Sequence, residues 1–175
     1  MMQRQVMHMH DRKGFSLIEL IVVIAILAIV SVVSLRAFYS LGSWKVKKCV
    51  SAIDGGLDQA KVTALSKSDA VFRIYKKGTE YWMAIDVKDT EEENERIAKE
   101  PAVISYVTNE GTEADIQEGD SESLKLQYDR SSGAFKPIGS TAGGRDIYCS
   151  SIIVTSGNNT KTIVLYYATG KHQIQ

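Results

Sequence analysis

The stretch Lys13-Gly14-Phe15-Ser16-Leu17-Ile18-Glu19-Leu20-Ile21-Val22-Val23-Ile24-Ala25-Ile26-Leu27-Ala28-Ile29-Val30-Ser31-Val32-Val33-Ser34-Leu35 decides how the rest of the chain is read. From Phe15 to Leu35 it is apolar on every face. As a helix rising about 1.5 Å per residue it is long enough to cross a hydrocarbon core of roughly 30 Å. One charge interrupts it, Glu19. A carboxylate inside a membrane segment costs about 2.5 to 3.5 kcal/mol on insertion scales, so Glu19 asks for a partner and a purpose.

Outward from that run, 175 residues leave room for one membrane helix and one small domain. The formal net charge is zero, so bulk electrostatics selects no class of partner. Arg4, Arg12 and Lys13 precede the apolar run, and Arg36, Lys45, Lys47 and Lys48 follow it. By the positive-inside rule this is nearly balanced and leaves the orientation open. A cleavable secretory signal would be cut after its apolar core at a small-residue site, and the run here would then be lost.

Basic leader, Gly14, Phe15, and Glu19 at the head of an unbroken apolar helix form a pattern that closely resembles type IV pilins and pseudopilins. The resemblance implies that a prepilin peptidase and methyltransferase cuts between Gly14 and Phe15 and methylates the new amino group of Phe15. It implies that Glu19 serves assembly with other pilin or pseudopilin subunits. It also sets the orientation, with the leader in the cytoplasm, a single pass through the cytoplasmic membrane, and the C-terminal domain outside and later in a pilus or pseudopilus. Cleavage would create a cationic terminus that a neighbouring copy's Glu19 can neutralise within a helical bundle.

Beyond the membrane run the apolarity narrows to a stripe: Val46, Cys49, Val50, Ile53, Leu57, Ala60, Ala64 and Leu65 recur at three- and four-residue steps. This predicts that the helix continues to about residue 67 with one face buried. No proline precedes Pro101, and Gly42 and the Gly55-Gly56 pair are its expected weak points. After Asp69 the period becomes strand-like, with hairpins expected over 70–87 and 147–168, strands at 102–108 and 124–128, and a short last strand. Residues 88–100 and 109–123 are acid-dense and read as loops, and 137–145 as an exposed glycine-rich connection. The predicted organisation is a leader at 1–14, a membrane or fibre-core helix at 15–35, its amphipathic continuation at 36–67, and a β-sheet domain at 68–175. The fold class is α+β, a long N-terminal helix packed on antiparallel sheet. The Ala60–Leu65 end of the stem and the Thr162–Lys171 segment look like the H-type minor pseudopilins of type II secretion and the related minor pilins.

Chemistry of a catalytic kind is not assembled by this sequence. Outside the leader's His8 and His10 the one histidine is His172, and neither a nucleophilic triad, a phosphate loop nor a His/Cys metal spacing is present. The acids at Asp89–Glu95 and Glu113–Asp120 match no calcium loop and read as solvated surface, so no metal and no cofactor are expected. Cys49 and Cys149 are expected to form one disulfide tying the stem to the late sheet in an oxidising compartment, with two buried thiols as the alternative. Arg145, Lys161 and Lys171, near Tyr166 and Tyr167, are candidate contacts to DNA, but the patch is small and the acidic loops would repel a phosphate backbone. A structural subunit is the reading; a DNA-binding minor pilin and a non-polymerising anchored domain are its alternatives.

Overall fold

In the computed structural model, residues 16–66, 70–87, 94–119 and 122–175 are described, those at 32–41 by their helical backbone alone. Helix α1 spans Leu17–Ser66 without a break, as the lack of proline allows. The chain separates into two compact units, Met1–Tyr39 and Ser40–Gln175. In the first, eleven large apolar side chains between Leu17 and Val30 are 44–76% exposed.

The second unit is built on the stripe. Val46, Cys49, Val50, Ile53, Leu57, Ala60 and Ala64 are buried, whereas Leu65, expected on the same face, is 47% exposed. It sits one residue past Ala64, on the side of the helix that turns to solvent, together with Val62.

Eleven strands follow among the described residues. β1 (Ala70–Lys77) and β2 (Glu80–Val87) form the predicted hairpin around Gly78, whose φ of 58° suits the two-residue turn. β3 (Asn94–Lys99) pairs with β2, and β6 (Leu124–Gln127) pairs with β1, giving a four-stranded sheet in the order β3-β2-β1-β6. β4 (Val103–Thr108), β5 (Glu113–Asp115), β9 (Cys149–Ser156), β10 (Asn159–Tyr166) and β11 (Lys171–Ile174) make a second sheet, ordered β11-β10-β9-β4-β5. β7 (Gly139–Ser140) and β8 (Asp146–Ile147) close a small ribbon where an exposed connection was expected. All pairings among these strands are antiparallel, and the α+β expectation holds.

Two segments and the number of sheets depart from the sequence reading. Part of the acid-dense 88–100 segment is strand β3, part of the 109–123 loop is strand β5, and the sheet is two sheets. Both missed strands lie at sheet edges, where one row of pairings suffices and few side chains are buried, so the apolar alternation is weak. In β3 the buried residue is Ile97 alone. One core joins the helix stripe to both sheets through Phe72, Ile74, Ile104, Leu126, Ile152 and Ile163.

The glycine pair is not a weak point of the helix but two different solutions. A Cβ on Gly55 would meet nothing within 4 Å, while one on Gly56 would collide with Met83 Sδ and with the ring of fully buried Phe72. Side chains of the first sheet therefore pack on α1 at Gly56 too tightly to admit a Cβ. We expect Gly55→Ala to stabilise the domain by about 1 kcal/mol through helix propensity. Gly56→Ala should destabilise it by roughly 1–3 kcal/mol through overpacking. Urea unfolding midpoints moving in the same direction would contradict this assignment.

Candidate functional site

At the N-terminal site, Gly14 and Phe15, the expected cleavage and methylation positions, lie outside the described residues. Ser16 precedes the helix and Glu19 stands in its first turn. The Glu19 carboxylate accepts a long hydrogen bond of 3.4 Å from the Ser16 backbone N–H, half of a capping box. A negative charge is also favoured at this end by the helix dipole. Ser31, further along the described run, donates its hydroxyl to the Leu27 carbonyl at 2.7 Å. Glu19 is thus the group in this run whose charge no cation in the same chain is seen to balance among the described residues.

Side chains of the apolar run are described from Leu17 to Ser31, about 22 Å of helix at 1.5 Å per residue. Among the described residues no helix is long and apolar enough to cross a membrane. The expected span at 15–35 extends beyond them at both ends.

In the second unit, Cys49 and Cys149 are both buried free thiols. Both belong to the one core cluster, and Cys149 donates to the Ser151 carbonyl at 3.5 Å. Burial pushes each thiol up to about 12, which keeps both protonated and unreactive at neutral pH. We expect neither to be alkylated by iodoacetamide in the native protein, and both to be alkylated on unfolding without reductant. An unfolded chain that takes up no label would show that they are bridged.

The DNA candidates do not converge. Lys171 pairs in register with Tyr166 while Lys161 lies five residues back along β10, about 17 Å away at strand spacing. Arg145 is exposed in the turn before β8. Lys171 itself lines a cavity of about 320 Å³ with Asp54, Asp58, Lys61, Gly170 and His172, where two carboxylates oppose a phosphate ligand.

That cavity is a latch the sequence reading missed. His172 Nε2 lies 3.2 Å from Asp54 Oδ1 and 3.6 Å from Asp58 Oδ1, on a ring only 7% exposed. Lys61 Nζ donates to the carbonyls of Thr169 and Gly170 at 3.1 and 3.0 Å. The i, i+4 spacing of the two aspartates puts them on one helix face, and the last turn and β11 are tied to it. Gly170 has φ 60°, and a Cβ there would strike the Gly133 backbone carbonyl. Tyr128 adds a second tie, its hydroxyl donating to the Leu57 carbonyl at 3.1 Å, and burial raises its pKa. Nothing in the sequence pointed to these contacts, because partners tens to more than a hundred positions apart leave no local signal. Among the described residues no three His, Cys, Asp or Glu side chains are placed to hold a metal ion.

An apolar helix headed by one capping acid, in a chain with an antiparallel β domain, defines a pilin-like arrangement. Residues 9–35 match the family model described as the prokaryotic N-terminal methylation motif, which marks the chain as a type IV pilin- or pseudopilin-like prepilin. No curated protein and no solved structure gives a significant match. The motif points to a structural role and to no enzymatic one.

Proposed function

We propose that the chain is a structural subunit of a fibre of the type IV pilus, type II secretion or competence kind. The observation that carries this is the methylation motif matched over residues 9–35, together with an apolar helix whose side chains are exposed from Leu17 to Ser31. Eleven bare aliphatic side chains cannot persist in water, since each one buried gains about 1.5–3 kcal/mol. Lipid first, and then a bundle of identical helices, gives them a solvent.

In this reading the precursor waits in the cytoplasmic membrane through residues 15–35. A prepilin peptidase removes residues 1–14, Phe15 becomes the methylated N-terminus, and the helix passes from bilayer to fibre. Glu19 supplies register. A subunit out of step leaves a carboxylate unpaired in hydrocarbon, a penalty of several kcal/mol that favours a single stagger. The β domain decorates the fibre or its tip, in the manner of the H-type minor subunits that its late strands resemble.

Glu19→Ala is expected to leave leader removal intact and to abolish incorporation into fibres, measured by sheared-fraction immunoblot beside an immunoblot for the processed form. Normal incorporation of the variant would remove Glu19 from assembly.

A further inference from the structure

Trp44, on α1, is 62% exposed, an unusual position for so large an aromatic surface in a domain whose core is otherwise closed. It stands at an open cavity of about 300 Å³ lined also by Lys45 and Lys48 of α1 and by Arg96, Lys99 and Glu100 in and beside the edge strand β3. Two of these charges are already engaged, Arg96 with Glu80 at 2.9 Å and Glu100 with Lys76 at 2.8 Å. Among the described residues Lys45, Lys48 and Lys99 have no carboxylate partner. Lys48 Nζ lies 5.7 Å from the centroid of the Trp44 ring. The hollow therefore offers three uncompensated ammonium groups around an amphipathic ring.

Such a set is complementary to an anion that adjoins apolar material, because the ring takes the apolar part and the ammoniums the charge. The chain supplies a source. Trp44 follows Leu35, the end of the apolar run, by nine residues, which even fully extended span no more than about 32 Å. The tether between the apolar run and the hollow is therefore short, and Trp and Lys close to the end of such a run are the residues that anchor a chain to headgroups.

We propose that the hollow formed by Trp44, Lys45, Lys48 and Lys99 docks anionic phospholipid headgroups and holds the β domain against the membrane until the subunit is withdrawn. The proposal rests on the membrane-anchored reading above. Each lysine at an anionic surface strengthens docking about fivefold.

The test uses the full chain in nanodiscs of phosphatidylcholine alone or with three-tenths brominated phosphatidylglycerol, against a control with the same fraction of brominated phosphatidylcholine. Quenching of Trp44 is read as the difference between the protein and its Trp44→Phe variant, which cancels the other tryptophan, Trp82. The proposal predicts stronger quenching by the anionic brominated lipid than by the neutral one, relieved by high salt. In the Lys45→Glu, Lys48→Glu variant the docked-to-free ratio falls roughly 25-fold or more, with unchanged circular dichroism.

Equal quenching by the two lipids, in protein that remains inserted, would overturn the docking site and leave the membrane anchor standing. Failure of the chain to enter discs of either composition would overturn the anchor and the docking site together. Protection of Trp44 that tracks the number of chains per disc instead of lipid charge would overturn it in favour of contact with a second copy.

Discussion

The structure depends on one helix meeting two incompatible demands. Over Leu17–Ser31 α1 is apolar around most of its surface and leaves its large side chains exposed, while from Val46 to Ala64 it is apolar on one face and that face is covered. The covered half forms the spine of a domain in which one stripe contacts both sheets through a continuous core. In the assembly proposed above, lipid or copies of the same helix would cover the bare half.

Glu19 is where the two demands become a mechanism. In the single chain its carboxylate caps its own helix through Ser16, at a length of 3.4 Å that makes a weak bond. A full cap contributes about 0.5–2 kcal/mol, so this one is easily displaced. A neighbour's ammonium in a water-poor bundle offers a charge-assisted bond about twice as strong as a neutral one, with Coulomb attraction added. In the assembly proposed above, the exchange of a self-cap for an intermolecular pair would need the cation that leader removal would create.

Much of this was legible in the sequence because it is encoded locally. The apolar run, the acid at its fourth position after Phe15, the three- and four-residue stripe and the long hairpins each announce themselves within a dozen residues. What stayed hidden was set by residues distant in sequence. The edge strands β3 and β5 carry Glu, Asn, Arg and Asp and owe their form to a neighbour, not to alternation. The Gly55-Gly56 pair looked like two identical defects, and only the position of Phe72 and Met83 distinguishes a tolerated glycine from a required one. The clasp of Asp54, Asp58 and Lys61 on the last turn, and the cations gathered around Trp44, exist only after folding.

The central claim is that a carboxylate is carried in an apolar helix because processing supplies its counter-charge on an adjoining copy. Mass spectrometry of the N-terminus of the chain taken from assembled fibres tests it most directly. The account predicts a mature chain that begins at Phe15 and bears one methyl group on its α-amino nitrogen. Assembled chains that still carry Met1 would contradict it.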